Sequence, residues 1–233
     1  MKKIWHISDT HSYHRLLEVP KDVDIVIHSG DFTNYFDTFK NEPEAKDFLQ
    51  WYANLNIKYK ILIAGNHDAY ASNATFELRE YCSAMNIIYL ENESVEIEGI
   101  NIFGTPITPS FGNWYFMKPR HKTDNYWKEI PDNTDILIVH GPPKGILDLS
   151  YSRTTGETER CGCKSLKNHI LERIKPKYCL FGHIHNCEDI INAGVLKLSA
   201  HDTIFSNGSV VTDGKFGQLS SNGNILEYDR TKI

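Results

Sequence analysis

The sequence predicts one α/β domain over residues 1–233, built from two stacked sheets with helices outside. Two observations carry this. In the first third of the chain, short β-rich apolar runs alternate with a segment of helical periodicity, the β–α–β order of a parallel sheet. After about residue 87 the pattern changes to closely spaced short strands with Gly and Asn turns, without an internal repeat, low-complexity tract or linker. A chain of 233 residues is long enough to give such a domain a substantial core.

In chain order, residues 3–8 (KIWHIS) and 23–29 (VDIVIHS) are strands, the second with the continuous apolar centre of a sheet covered on both faces. Residues 42–55 place Ala45, Phe48, Leu49, Trp51 and Tyr52 at helical spacing, with Pro43 in the first turn. Residues 59–64 (YKILIA) form a third strand, and a second helix covers Thr75 to Met85. Short strands are expected at 87–90, 94–97 and 100–104, with a hairpin turn at Glu98-Gly99.

Residues 105–131 read as a long loop holding Phe111, Trp114, Tyr115, Phe116, Tyr126 and Trp127. A loop longer than about 15 residues in a compact domain is usually functional or disordered, and that much apolar surface argues against disorder. Beyond it lie a buried strand at 135–140, a helix at 164–175 ended by Pro176 and a strand at 178–182. Short strands fill the chain from Glu188 onward.

With 40% hydrophobic and 24% charged residues, the composition is that of a soluble globular protein. A net charge of −5 gives no global attraction to nucleic acid or anionic membrane. The opening MKKIWHISDTH lacks the apolar core of a signal peptide. No run approaches the roughly 18 apolar residues of a membrane span, so a cytoplasmic location is expected. The cysteines, at 82, 161, 163, 179 and 187, are odd in number and irregularly spaced, against a secreted disulfide framework. Cys161 and Cys163 lack a second close pair to complete a zinc site and read as a tight loop leading into a helix.

The informative residues are those just past the end of each apolar strand. Asp9 and His11 come after the first, Asp31 after the second, and Asn66, His67 and Asp68 after the third. His140 ends the strand at 135–140, and His183 and His185 come after YCLF. The carboxyl ends of parallel strands converge on one edge, where ligands bind. One Asp or Asn after a strand is ordinarily a turn or helix cap. Five strands that each deliver Asp, Asn or His to the same topological place point instead to metal ligation. Residues two apart on an extended segment face one side, so Asp9 with His11, and His183 with His185, can each reach one ion. Two Asp, one Asn and four His exceed one ion and suit two, bridged by a carboxylate at roughly 3.5 Å separation. Gly30, Gly65, Gly141 and Gly182 flank these clusters and suit sharp turns.

The blocks "DTH" (9–11), "GD" (30–31), "GNHD" (65–68), His140 and "GHIH" (182–185) stand in the order of the calcineurin-like metallophosphoesterase signature, which the chain resembles. "HSGDFT", "GTPITPSFGNWYF", "DILIVHGPPKGILD", "CGCKSL" and "FSNGSV" resemble the small MPPED-type phosphodiesterase branch, a likeness over nearly the whole chain. Ser12 stands where that branch usually has Gly, which is expected to alter loop shape and not ligation. The resemblance implies a four-layer α/β/β/α sandwich. It also implies that Asp9, His11, Asp31 and His185 hold one divalent ion and Asp31, Asn66, His140 and His183 the other. Ligands of this type suit manganese, iron, zinc or nickel, with Mn²⁺ the expected ion.

Two cations suit a phosphate ester, attacked in line by a metal-bridging hydroxide. His67 points away from the metal that Asn66 faces and is expected to protonate the leaving oxygen. Asp68 is expected to hold that imidazole. His28 is expected to pack, while His201, or Lys118, Arg120 and His121 in the long loop, could face phosphate. Aromatic rings of that loop could stack a nucleobase. With the resemblance, this favours a phosphodiesterase acting on small nucleotide diesters such as cyclic nucleotides. The alternatives are a phosphomonoesterase, including a protein phosphatase, or, outside enzymes, a metal-binding protein-interaction scaffold. A nuclease is disfavoured by the acidic balance. The oligomeric state is left open.

Overall fold

The computed structural model describes residues 1–152, 154–213 and 217–229. The chain begins with β1 (Lys2–Ile7), β2 (Ile25–Ser29), α1 (Thr38–Ala53), β3 (Tyr59–Ile63), α2 (Ala69–Asn73), α3 (Thr75–Ala84) and β4 (Ile88–Tyr89). It continues with β5 (Glu93–Ile97), β6 (Ile100–Thr105), β7 (Thr108–Pro109), β8 (Met117–Lys118), α4 (Asp124–Lys128) and β9 (Ile136–Val139). Then come β10 (Leu149–Tyr151), β11 (Thr158–Arg160), α5 (Lys164–Asn168), β12 (Tyr178–Phe181), β13 (Gly194–Lys197), β14 (Ile204–Asn207) and β15 (Asn224–Tyr228).

Two large mixed sheets result, ordered β15-β1-β2-β3-β4 and β13-β14-β12-β9-β6-β5. Side-chain alternation makes the layers. Ile4, Ile25, Ile27, Ile61 and Ile63 of the first sheet meet Ile102, Ile136, Ile138 and Leu180 of the second in one apolar core. The opposite parity of the first sheet, including Trp5, Ile7, Val26 and Leu62, packs against Phe48, Leu49 and Tyr52 of α1 and Leu78 of α3. In the second sheet Leu137, Val139, Cys179 and Phe181 meet Trp127 of α4 and Leu166 of α5. Burying each Ile, Leu or Phe contributes about 1.5–3 kcal/mol. A one-residue register slip would exchange the two faces, so the register is fixed. The four-layer α/β/β/α sandwich is the fold.

Several boundaries differ from expectation. Helix α1 starts at Thr38 because Asp37 caps it, accepting from the N–H groups of Phe39 and Lys40. Pro43 therefore lies inside the helix and leaves the Phe39 carbonyl without its helical donor. The expected long loop carries β7, β8 and α4. Its rings divide: Trp127 is fully buried, and Phe116 and Tyr126 pack on the cores. The helix from Lys164 continues as a π-helical turn from His169 to Ile174 and stops at Lys175, whose φ is 50° before Pro176. The hairpin turn forms at Glu98-Gly99, with φ of 50° and 79°, the pair of positive values that joins tight hairpins.

The arrangement positions the site. β1, β2 and β3 run parallel, as do β6, β9, β12 and β14, so the carboxyl ends within each sheet lie together. Ser8 joins the sheets at that edge: its N–H donates to the Gly208 carbonyl and its own carbonyl accepts from Val210 N–H. Beneath, His6 bridges the sheets through Ser29 Oγ at 2.9 Å and Ser206 Oγ at 2.8 Å. No helix among the described residues is long and apolar enough to cross a membrane.

Candidate metal centre

Every strand-end residue singled out in the sequence comes to this edge. Asp9, His11 and His185 gather in one group and Asp31, His140 and His183 in another; Asp31 also groups with His11 and His67. In both outer groups the ligand atoms lie within 4.8 Å of one another. Asp31 Oδ2 stands between the two, 3.2 Å from His140 Nε2 and 4.0 Å from His11 Nε2. Asn66 Oδ1 lies 3.0 Å from His140 Nε2.

The backbone reaches this geometry by turning, not by extension. Asp9, His11, Asp31 and His183 have φ of 52°, 40°, 57° and 69°, left-handed values that cost non-glycine residues of order 1–2 kcal/mol each. The Asp9-x-His11 pair is thus a left-handed turn and not an extended segment. His183 and His185 likewise face different groups, against the expectation that spacing alone turns both to one ion. Ser12 adopts a φ of 67°, the region glycine enters freely, and its hydroxyl donates to Glu44 Oε1 at 2.7 Å.

Two glycines are sterically required. A Cβ on Gly65 would lie 2.3 Å from Asp31 Oδ1, and one on Gly182 2.0 Å from Asp9 Oδ2. The missing side chains are what let the carboxylates lie against the neighbouring turns.

Four histidines have their tautomer fixed by an acceptor-only partner. His11 Nδ1 donates to the Thr33 carbonyl at 3.0 Å and His140 Nδ1 to the Ser29 carbonyl at 2.9 Å. His67 Nδ1 donates to the Asn34 carbonyl at 3.2 Å and His185 Nδ1 to the Asp213 carboxylate at 2.9 Å. Each is left with Nε2 for the site, the arrangement that metal-ligating histidines use. His11 Nε2 is buried without a hydrogen-bond partner among the described residues. Such an orphaned lone pair, beside two buried carboxylates, fits a cation.

Charge agrees. Burial opposes ionisation of Asp9 and Asp31, yet the surrounding histidines hold both carboxylates below the ordinary range. Burial also works against a charge on His140, but the Asp31 carboxylate outweighs it and raises the imidazole to about 9. His185 rises to about 10 against burial, through Asp9 and Asp213. Burial lowers His11 to about 4 and, with His140, His183 to about 3. The two buried carboxylates thus call for positive charge at two places, which two bound cations would meet. The donor set of carboxylate, amide and imidazole fits two divalent metals.

Asp68 does not hold His67. Its carboxylate accepts from the N–H groups of Gly65 at 2.7 Å, Asp31 at 2.9 Å and Thr33 at 3.0 Å, and from Thr33 Oγ1 at 2.8 Å. All four are donors, so Asp68 ties the Asp31 turn to the Gly65 turn. Burial and Asp31 push it up to about 8, against the pull of those donors. The His67 ring instead lies against Trp114, with centroids 4.5 Å apart, and edge-on to His11 at 4.7 Å.

Two supporting residues escaped sequence reasoning, Ser209, whose Oγ donates to Asp9 Oδ2 at 2.8 Å, and Asp213. Neither stands after an apolar strand run in a signature block. His28 packs against Phe48 and bonds Thr10 Oγ1 at 3.0 Å, as expected. A cavity of about 640 Å³ opens over Asp31, Asn66, His183 and His185. Phe111, Trp114 and Arg120 from the long loop line it, and Lys118, His121 and His201 do not.

The calcineurin-like phosphoesterase family model matches residues 2–187. Metallophosphoesterase domain-containing protein 1 of Homo sapiens is 33% identical over 228 residues, covering 88% of this chain and 65% of that protein. A UPF0046 protein of Caenorhabditis elegans is 34% identical over 208 residues, 81% of this chain and 70% of its own. The chain thus spans about two thirds of the length of the curated relatives it matches. A solved crystal structure shares the fold with a TM-score of 0.63 at 17% identity, over 88% of this chain and 90% of that one. The chain belongs to the calcineurin-like phosphoesterase family.

Proposed function

We propose that this calcineurin-like phosphoesterase is a two-metal phosphodiesterase acting on small nucleotide diesters, cyclic nucleotides among them. The observation that carries the reading is the buried Asp31 carboxylate between His11 Nε2 and His140 Nε2, flanked by a second carboxylate and two further histidines. Asp9, His11, Asp31 and His185 would hold one ion, and Asp31, Asn66, His140 and His183 the other, with Mn²⁺ the ion to test first. Bound there, two divalent cations would offset the negative charge of the phosphoryl oxygens and lower the pKa of a bound water, supplying the nucleophile for in-line attack.

The chain supplies the rest. Main-chain carbonyls set His11, His67 and His140, and Asp213 sets His185, with Nε2 inward. His67 directs Nε2 into the site because its Nδ1–H donates to the Asn34 carbonyl; as the doubly protonated imidazolium it gives its Nε2 proton to the departing oxygen and is left as the neutral Nδ1–H tautomer. Trp114 limits rotation of that ring. Phe111, 5.4 Å from the His183 ring, and Trp114 offer flat faces to a base. Five free thiols support a reducing, cytoplasmic setting.

The test is a panel of cyclic nucleotides, p-nitrophenyl diesters and monoesters, assayed on metal-stripped protein with Mn²⁺ restored. Diester turnover exceeding monoester turnover is expected, with two ions per chain. In His67→Ala the metal content stays and cyclic AMP hydrolysis falls about 10²–10⁴-fold. The fall on a p-nitrophenyl diester is smaller, because that leaving group needs less protonation. Full cyclic AMP turnover by this variant overturns the acid role. Metal binding without any turnover favours the scaffold reading.

A further inference from the structure

The cavity extends past the metal-ligand residues to a cationic wall that the proposed reaction does not use. The segment after His140 is zipped to residues 161–163: Cys163 N–H donates to the Pro142 carbonyl at 2.9 Å and Lys144 N–H to the Cys163 carbonyl at 3.0 Å. Arg120 reaches the same segment from the long loop, with Nη2 2.8 Å from the Cys161 carbonyl and Nη1 3.3 Å from the Gly162 carbonyl. Arg160 immediately precedes it. Three cations from three separate stretches of chain therefore converge on Cys161–Cys163, and all three line the cavity shared with Asp31 and His183.

Their charge is poorly compensated. Lys144 is exposed, and neither it nor Arg120 forms an ion pair among the described residues. Only Arg160 has a carboxylate, Asp148 Oδ1 at 2.9 Å. Among the described residues that line the wall Glu159 is the uncommitted carboxylate: Asp148 is buried behind Arg160, and Asp213 is committed to His185. Ser150, Ser152 and Thr154 add hydroxyls on the same side. Lys144 is the fourth residue after His140, so their Cα atoms lie within about 14 Å of each other.

We propose that this wall is a second anion-binding subsite, and that the preferred substrate is a phosphodiester carrying a further phosphate or comparable anion beyond the scissile one. The proposal rests on the phosphodiesterase reading and refines its substrate class. Arginine forks and a lysine ammonium recognise phosphate oxygens directly, whereas a plain cyclic nucleotide has nothing to place there.

Calorimetry on the Mn²⁺-loaded chain, with adenosine 3′,5′-bisphosphate against adenosine 5′-monophosphate, tests it. The bisphosphate is expected to bind at least tenfold more tightly. That preference falls about tenfold in Lys144→Gln and again in Arg160→Gln, and it shrinks as NaCl is raised. Equal binding of the two nucleotides by the wild-type chain, which requires no variant to fold, overturns the subsite; so does a preference that survives both substitutions. Turnover of bis(p-nitrophenyl) phosphate, measured alongside, reports on the phosphodiesterase reading separately. Turnover without bisphosphate preference sinks the subsite alone, and preference without turnover leaves the subsite standing while the catalytic reading fails.

Discussion

The two halves of the candidate metal centre are held differently. Around Asp31, Asn66, His140 and His183 the supports are the motifs themselves and the main chain beside them. His140 is oriented by the Ser29 carbonyl, and Asp31 Oδ1 accepts from the His67 N–H at 2.7 Å. Asp68 fastens the two turns together. Around Asp9, His11 and His185 the supports come partly from elsewhere. Asp9 accepts from Ser209, and His185 is oriented by the side chain of Asp213. Both lie beyond residue 187, where the family match ends. One half is secured by neighbouring backbone and by one side chain of its own motif, Asp68. The other depends on two side chains contributed from a later part of the chain.

The largest break in that contrast is Asp31→Asn, because Asp31 serves both halves. Turnover is expected to drop about 10³-fold or more, and metal analysis should find fewer than two ions per chain. A variant that retains both ions and full turnover removes Asp31 as the shared ligand.

Next comes Gly182→Ala, which drives a Cβ into Asp9 and Ser8 and so strikes the Asp9 half first. One ion is expected to be lost on dialysis while the second remains, with thermal stability reduced by several degrees. Equal loss of both ions would show that the halves are not separable.

Asp213→Asn sharpens the comparison more gently. Removing the carboxylate behind a ligating histidine typically weakens metal affinity about 10–100-fold. Chelator titration should show this for one ion and leave the other unmoved.

The smallest effect on metal content concerns the floor that both halves share. Burial lowers His6 to about 3 from its ordinary 6.5. The unfolded chain therefore binds this proton first, and stability falls as pH drops from about 6.5 toward 3, by up to about 1.4 kcal/mol per pH unit. His6→Gln should flatten the melting temperature against pH in that window. A slope unchanged by the substitution assigns the acid sensitivity to other groups.

Much of this molecule was legible in its sequence, and the reason is local. Buried parallel strands need continuous apolar runs such as ILIVH and YCLF, and each strand must give way to a turn. Asp, Asn and His in those turns were therefore conspicuous, and the topology of parallel strands brought them to one edge. Side-chain direction within the turns was not legible. Left-handed φ values at Asp9, His11 and His183 replaced the extended geometry that spacing suggested, and sent His183 and His185 to different groups.

Which partner holds which group was decided by tertiary structure alone. Asp68 is the next residue after His67 yet faces Asp31, because three N–H groups at a turn outcompete one imidazole. Asp213 reaches His185, and Arg120 reaches the Cys161–Cys163 segment, only because distant stretches fold past one another. Apolar periodicity is a property of neighbouring residues and survives in one dimension. A hydrogen bond between remote side chains requires distance and angle together, and only the folded chain sets those.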